Sequence, residues 1–214
     1  MTEAEAVAEE IPPTHDHFAH LAQQAQAVKL GLALFLASEA LLFTAIFALI
    51  TAYQSEHAEA FKIGIEHNTK WLGSINTVVL LVSSMLVAIA VELQREDRRK
   101  LAGALTLTTA ALGVVFLVIK LTEYGKHFHD GIYPGGRGYF FVEHQEHGLP
   151  VFWTLYFLAT GLHAIHVTIG TGVLIHRGVV VLRGSLTHSL EAAALYWHLV
   201  DVIWIFLWPI FYLA

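Results

Sequence analysis

Five apolar stretches, each about as long as a membrane core is thick, dominate this sequence. They cover residues 29–52, 71–91, 101–122, 151–175 and 190–213. A bilayer core about 30 Å thick requires roughly 20 mostly apolar residues in a helix, because hydrocarbon offers the backbone no hydrogen-bond partner. A membrane β-barrel would instead show alternating segments of about ten residues. The sequence therefore predicts an all-α polytopic membrane protein, a bundle of five transmembrane helices.

The balance of apolar and charged residues excludes a soluble globular domain. Apolar residues make up 56% of the chain and charged residues only 14%, which leaves too little polar surface. The sequence has no cysteine, which excludes disulfides, thiolate-bound zinc, iron-sulfur clusters and thiol nucleophiles. A formal charge of -6, from 18 acidic and 12 basic residues, argues against nucleic acid as a partner.

Residues 1–28 are predicted to form a polar N-terminal tail, and residues 29–214 the membrane domain. The tail is rich in glutamate and has neither the basic start nor the apolar middle of a signal peptide. It leads into the first apolar stretch without a further domain between them. The chain therefore reads as a single membrane domain with one short polar extension.

The basic residues predict the orientation of the bundle in the membrane. One side has a single short loop that holds Arg95, Arg98, Arg99 and Lys100. The other side carries its basic residues, among which we place Lys120, on longer loops that have less effect on orientation. The longest of these loops is residues 123–150, which we expect to form turns and an interfacial aromatic layer. The N-terminus is therefore predicted to be cytoplasmic and the C-terminus external.

Ionisable side chains inside the predicted spans are the strongest functional signal, because each is costly in hydrocarbon and needs a partner. With a helix rise of about 1.5 Å per residue, Glu39 lies about 15 Å from the start of the first span. On the same basis His166, eleven residues before Arg177, lies about 16 Å from that charged residue at the cytoplasmic end of the fourth span, and His163 lies about one turn further out. His198 and Asp201 lie about 12 Å and 16 Å into the fifth span. These groups are predicted to share one layer near the middle of the bilayer.

Two interpretations fit this polar layer. In the first, Glu39 bonds His163 or His166 across the bundle, and the i, i+3 pair His198 and Asp201 bond each other or join that network. In the second, the polar groups only hold the helices together and no proton moves. Both interpretations place these side chains inside the bundle, forming a buried polar network.

A haem or metal site is a further alternative for the histidines. A bis-histidine haem needs two imidazoles that face one another, and a cytochrome with two haems repeats the pair at a second depth. The fourth span offers His163 and His176, but the fifth offers only His198, because His188 precedes that span. We therefore expect this chain to have no catalytic residue and to bind no metal or other cofactor.

Five motifs follow one another in unbroken order from about Lys29 to the C-terminus. They are Leu36-Ala-Ser-Glu39-Ala-Leu-Leu-Phe43, Ile75-Asn-Thr-Val-Val-Leu-Leu-Val-Ser83, Glu123-Tyr124, Gly161-Leu-His-Ala-Ile-His166-Val and Tyr196-Trp-His-Leu-Val-Asp-Val-Ile-Trp204. Together they resemble subunit III of the haem-copper respiratory oxidases, the cytochrome c oxidase subunit III family, in its short five-helix bacterial form.

The resemblance implies an accessory subunit in the bacterial plasma membrane that itself carries no haem or copper. Its expected partners are catalytic subunit I and subunit II, which hold those cofactors, reduce dioxygen to water and pump protons. Such a subunit supports the stability and proton uptake of its neighbour, holds phospholipid and takes part in respiratory supercomplexes. The buried glutamate of the family corresponds to Glu39, and its paired histidines correspond to His163 and His166.

The other motif residues that the resemblance carries over are expected to be structural. They are Asn76, Glu123, Tyr124, Glu191, Trp197 and Trp204, while His198 and Asp201 belong to the same final motif. Many members of the family have seven helices, whereas this sequence begins at the glutamate-bearing helix. No lipid-binding residue is assigned for that reason.

The leading prediction from sequence is the subunit III of a cytochrome c oxidase. The same subunit of a quinol oxidase and the related accessory protein of nitric oxide reductases are the alternatives within this class. From other classes, the alternatives are a stand-alone proton channel built on Glu39 and the histidines, and a self-contained haem enzyme. The identity of the neighbouring redox subunit distinguishes the cytochrome c oxidase, quinol oxidase and nitric oxide reductase alternatives. An absorption spectrum of the chain alone tests whether it is a haem enzyme.

Overall fold

The structure, a computed structural model, describes residues 21–183 and 189–213, and the regular elements in these ranges are helices. Most of the predicted tail, residues 1–20, lies outside the described residues. Packing divides the chain into residues 1–39 and residues 40–214, which are described separately. The helices are α1 (Leu21–Glu56), α2 (Ala58–His67), α3 (Lys70–Arg95), α4 (Arg99–His129), α5 (Phe140–Glu143), α6 (Leu149–Leu182) and α7 (Ser189–Tyr212).

Five of these helices are long and apolar enough to cross a membrane, which confirms the predicted all-α membrane fold. Their membrane segments are Gln26–Glu56, Lys70–Arg95, Arg99–His129, Leu149–Leu182 and Leu190–Tyr212. The first four are longer than the apolar stretches that predicted them. Hydrophobicity marks the part of a helix that lies in hydrocarbon, and the backbone continues to form helix beyond it.

Two residues that the sequence placed in the long loop lie in a helix instead, and a third, Lys120, is buried although its charge was counted with those of the loops. Helix α4 continues to His129, so Glu123 and Tyr124 are helical and do not begin the long loop. Lys120, which was counted with the loop charges, is only 1% exposed inside the bundle. The prediction for these residues was wrong because a charged side chain was taken as the sign of a helix end. Here the charge is neutralised by a neighbour one turn along the same helix.

Four helices of the segment 40–214 form a closed ring. Helix α4 packs against α3 and α6, and α7 closes the ring by packing against the same two helices. Small residues permit the close approach of α4 and α6, because a Cβ added to Gly103 would lie 3.0 Å from the main-chain oxygen of Gly178. The second half of α1 contacts this ring where the Phe43 ring lies 5.3 Å from that of His166.

The two ends of the ring differ. At one end α2 packs on α6 and α7, and we refer to this as the α2 end. Here Gly148 is the N-cap of α6, and its φ of 95° is a backbone conformation that favours glycine. Pro150 follows in the first turn of the helix. At the other end Arg95 closes α3 and donates to Glu191 in the first turn of α7 at 2.9 Å. The ion pair joins two residues that are 96 positions apart in the chain.

Candidate functional site

A fully buried ion pair lies inside the ring. Lys120 and Glu123 are one turn apart on α4, and the Lys120 Nζ lies 3.0 Å from Glu123 Oε2. Their side chains are 2% and 0% exposed, respectively. Removing two charges from water costs several kcal/mol per ion unless further hydrogen bonds satisfy both groups. The surroundings of the pair therefore decide whether it can exist.

Two tyrosines from neighbouring helices complete the hydrogen bonding of this pair. The Lys120 ammonium donates to Glu123, to the hydroxyl of Tyr156 on α6 at 2.9 Å, and to the hydroxyl of Tyr212 on α7 at 2.7 Å. A lysine has three N–H donors, and all of them are used. The Tyr212 hydroxyl in turn donates to the Glu123 carboxylate, 2.8 Å from Oε1. The cluster thus joins α4, α6 and α7 at one point.

Aromatic rings surround the ammonium group. Lys120 Nζ lies 4.6 Å from the ring centre of Tyr156, and 5.2 Å, 5.4 Å and 5.4 Å from those of Tyr124, Trp204 and Tyr212. Each ring face attracts a cation, more strongly when water is excluded. Tyr124 is held in place by a 2.6 Å hydrogen bond between its hydroxyl and that of Thr160 on α6. The rings therefore stabilise the charge that the apolar bundle would otherwise oppose.

A histidine links this cluster to the α2 end. His127, one turn beyond Glu123 on α4, has its Nε2 3.4 Å from the Tyr156 hydroxyl and 3.9 Å from Glu123 Oε1. Its other ring nitrogen, Nδ1, is buried and has no hydrogen-bond partner in the described part of the chain. We call this group the buried polar cluster; it consists of the side chains of Lys120, Glu123, His127, Tyr156 and Tyr212. The cluster can hold helices together, and it can hold a proton. Among the described residues, no group of three or more His, Asp or Glu side chains is arranged to bind a metal ion.

The two predicted histidines of α6 occupy different environments. The His163 ring is 0% exposed, stacks 5.2 Å from Trp204, and has no hydrogen-bond partner for either nitrogen within residues 21–183 and 189–213. The His166 Nδ1 lies 2.8 Å from the main-chain oxygen of Leu162. Glu39 belongs to the separately described segment, residues 1–39. Its predicted bond to His163 or His166 therefore stays a prediction.

The predicted pair on α7 is close to α3. The His198 Nδ1 lies 2.6 Å from the hydroxyl of Ser84 on α3. Asp201 is 3% exposed, and neither carboxyl oxygen has a hydrogen-bond partner in the ranges that the structure describes. His198 thus bonds across to α3 and does not bond Asp201.

The remaining motif residues make contacts that join helices. The indole N–H of Trp197 donates to the Ser83 hydroxyl at 3.0 Å, and that of Trp204 donates to the Thr77 hydroxyl at 3.1 Å. Both bonds connect α7 to α3. The Asn76 side chain donates to the main-chain oxygen of Phe116 on α4, at 3.5 Å. Contacts of this kind hold membrane helices together, because each polar group finds its partner on a neighbouring helix.

Sequence reasoning missed four of the five members of the buried polar cluster: Lys120, His127, Tyr156 and Tyr212. One signal was available: Lys120 and Glu123 are opposite charges at i, i+3, and such a pair shares one helix face. Tyr156 and Tyr212 gave no signal, because an isolated tyrosine in an apolar stretch is equally suited to packing and to the membrane interface. Their meeting depends on the order of the helices in the ring.

Comparison with known proteins places the chain among oxidase subunits. The profile of the family described as cytochrome c oxidase subunit III matches residues 13–214. A probable quinol oxidase subunit 3 from Staphylococcus haemolyticus is 29% identical over 194 residues, which cover 89% of this chain and 90% of that protein. Another from Staphylococcus saprophyticus is 29% identical, covering 86% of this chain and 88% of that protein. A quinol oxidase subunit 3 from Bacillus spizizenii is 30% identical, covering 86% and 85%, respectively.

Proposed function

We propose that this chain, which belongs to the cytochrome c oxidase subunit III family, serves as subunit III of an oxidase that takes its electrons from quinol. As a family member with five membrane-crossing helices, it is a multi-pass membrane subunit of a haem-copper oxidase, and its partners are the catalytic subunits. The observation that supports quinol is the name of the relatives that match along most of their length. The sequence alone favoured cytochrome c as the donor, and these names support its alternative.

The proposed role of the chain is structural support of the catalytic subunit. The buried polar cluster joins three helices, and the Arg95–Glu191 ion pair joins α3 to α7 at the opposite end of the ring. Such a bundle offers its neighbour a surface that keeps its shape. In this proposal haem and copper are held by the partner subunits, phospholipid covers part of the outer surface, and the N-terminus is cytoplasmic.

Cytochrome c is the second candidate donor. The matched family favours it, because the description of that family names cytochrome c oxidase. The electron donor binds outside this chain in either case, so the choice between the two candidates depends on the catalytic partners. The role of the chain's own residues is the same for both.

The donor is tested by purifying the complex from native membranes through an affinity tag on this chain. Oxygen consumption is then measured with a reduced quinol and, separately, with reduced cytochrome c. We expect turnover with quinol that an oxidase inhibitor abolishes, and none above background with cytochrome c. Turnover with cytochrome c alone would overturn the proposed donor. Recovery of the chain without any haem protein would overturn its role as an oxidase subunit.

A further inference from the structure

One polar side chain lies on the outer surface of the ring at a depth where hydrocarbon surrounds it. His198 is half-buried, and it lies eight residues after Leu190, the first residue of the last membrane segment. This separation corresponds to about 12 Å along the helix axis. An imidazole side chain is too short to reach the membrane surface from that depth. The exposed part of His198 therefore faces either lipid tails or another protein.

Only one of the two ring nitrogens of His198 has a partner. Nδ1 lies 2.6 Å from the Ser84 hydroxyl, whereas Nε2 has no hydrogen-bond partner within residues 21–183 and 189–213. Lipid tails neither donate nor accept hydrogen bonds, so an imidazole nitrogen without a partner is costly at this depth. The Arg95–Glu191 pair, two turns away on the same side of α7, differs because each of its members satisfies the other.

The surface around His198 is apolar. One turn to either side of it on α7, Leu195 and Val202 are 52% and 47% exposed. One turn from Ser84 on α3, Leu81 is 49% exposed. We call the outer line along which α3 and α7 meet, marked by Ser84 and His198, the α3–α7 seam. A single polar group within an exposed apolar face is suited to bonding a polar side chain on a neighbouring membrane helix.

Neither α1 nor a lipid headgroup completes the bonding of His198. On α1 the Phe47 ring lies 6.0 Å from that of Phe206 on α7. Phe206 is eight residues after His198 and about 80° away around the helix axis, so α1 contacts a different face of α7. A lipid headgroup lies at the membrane surface, about 12 Å from His198 by the same helix rise. A protein helix is the remaining source of a hydrogen bond at this depth.

The bond to Ser84 determines what that helix must offer. A neutral imidazole has one N–H donor and one acceptor nitrogen. When Nδ1 donates to Ser84, Nε2 is the acceptor, and when Ser84 donates to Nδ1, Nε2 is the donor. Hydroxyl and carboxamide side chains meet both needs without bringing a charge into the hydrocarbon. The matching side chain is therefore that of a serine, threonine, tyrosine, asparagine or glutamine.

We propose that the α3–α7 seam is the docking surface for a transmembrane helix of the catalytic partner subunit, and that this helix places a hydroxyl or carboxamide side chain against Nε2 of His198. Ser84 is a positioning residue, because its bond to Nδ1 fixes the orientation of the imidazole. The apolar side chains on both sides of His198 pack against the same helix. This inference rests on the proposed place of the chain in an oxidase complex, which supplies a membrane-spanning neighbour.

The docking surface is tested by photo-crosslinking in native membranes. A benzophenone amino acid replaces Val202, one turn from His198, and in a separate protein it replaces Val118, which is 57% exposed on α4 across the ring. We expect the probe at position 202 to label one transmembrane segment of the haem-bearing subunit. A hydroxyl or carboxamide residue should lie within about one helical turn of the labelled site. The probe at position 118 should leave that segment unlabelled.

The hydrogen bond is tested by the rate at which the chain dissociates from the tagged haem-bearing subunit in detergent. His198→Leu should dissociate about three- to tenfold faster than the wild type, because one interhelical hydrogen bond is lost. His198→Gln keeps a donor and an acceptor, so its rate should stay within about twofold. Thr168→Leu is the matched control and should leave the rate unchanged. Thr168 is exposed on α6, and its hydroxyl donates to the main-chain oxygen of Ala164 in its own helix.

A double-substitution cycle identifies the partner of His198. Alanine replaces the polar residue next to the labelled site, first alone and then together with His198→Leu. The second substitution should add no further loss, because both changes remove the same bond. The crosslinked protein keeps His198, so its result does not depend on the folding of His198→Leu.

Three results would overturn the docking surface. The first is a probe at position 202 that labels only lipid or a second copy of this chain. The second is a dissociation rate of His198→Leu equal to that of the wild type. The third is additive loss in the double-substitution cycle, which would confine His198 to a role within its own chain. In each case the chain still purifies with haem, whereas failure of the proposed oxidase role would leave it without a haem protein.

Discussion

Replacing the two members of the buried ion pair one at a time, and then together, should give strongly non-additive effects on stability. Lys120→Met removes the cation and leaves the Glu123 carboxylate with Tyr212 as its hydrogen-bond donor. Glu123→Leu removes the anion and leaves a buried ammonium with the Tyr156 and Tyr212 hydroxyls. The double variant Lys120→Met/Glu123→Leu replaces both charges by apolar side chains of similar size. It leaves no buried charge unpaired.

The magnitude follows from the bonds that each change removes. Glu123→Leu removes two bonds to a charged group, those from Lys120 at 3.0 Å and Tyr212 at 2.8 Å. Bonds of this kind contribute about 1.5–3 kcal/mol each, and breaking a buried pair costs about 3–5 kcal/mol. In the double variant Tyr156 and Tyr212 still have each other, 3.5 Å apart, and His127. We therefore expect the double variant to lose about 1 kcal/mol or less, because both members of the pair become apolar.

The assay is thermal denaturation of this chain within the purified complex. At about 2–4 °C per kcal/mol, each single variant should lower the midpoint by roughly 6–20 °C. The double variant should stay within a few degrees of the wild type. Lys126→Met is the matched control, since Lys126 is an exposed lysine of the same helix and should change stability by no more than about 0.5 kcal/mol. A double variant as unstable as the sum of the two single variants would refute the coupling, and with it the role of the cluster in joining the helices.

Three further predictions concern other parts of the chain. The chain has no cysteine of its own, so cysteines introduced at Glu96 and Gly136 should react with an impermeant thiol reagent from opposite sides of the membrane, and labelling from one side would contradict the five-helix topology. Because the pKa of His67 lies below 6.5, the unfolded chain binds a proton before the folded chain does. The stability of the complex should therefore fall as pH drops through about 6.5, and His67→Gln should remove part of that slope, whereas an identical slope would contradict it. Glu39→Gln should keep the chain attached to its catalytic partner during purification while Glu39→Ala weakens attachment, and equal retention of both variants would remove the predicted hydrogen-bonding role.

The apolar pattern predicted the spans because length and hydrophobicity alone decide whether a helix suits a bilayer. The same pattern underestimated α4, whose last turns carry Glu123 and His127 yet remain helical and buried. A charged residue near the end of an apolar stretch usually snorkels toward water. Lys120 does not extend toward water, because Glu123 neutralises its charge and the hydroxyls of two tyrosines accept hydrogen bonds from its ammonium group. That outcome depends on partners from other helices, which hydropathy cannot identify.

The polar groups of the candidate site were predictable only as individual residues. Depth along each helix placed His163 and Asp201 in the predicted polar layer, and in the structure both side chains are buried. It did not indicate their partners, since rotation about the helix axis decides which neighbour each side chain meets. His198 illustrates this, because it bonds Ser84 on α3 although Asp201 lies one turn away on its own helix. The i, i+3 spacing that predicted a bond there is the same spacing that produces the Lys120–Glu123 pair.

The most direct test of the role assigned to this chain is an absorption spectrum taken before and after the chain is separated from its partners. The complex purified through a tag on this chain should show haem bands and consume oxygen. The chain released from it by a stronger detergent should lose those bands while the partner fraction retains them. Haem bands that stay with the separated chain would contradict an accessory subunit whose redox centres lie in its partners. A tagged chain that never brings haem with it would contradict membership of an oxidase complex.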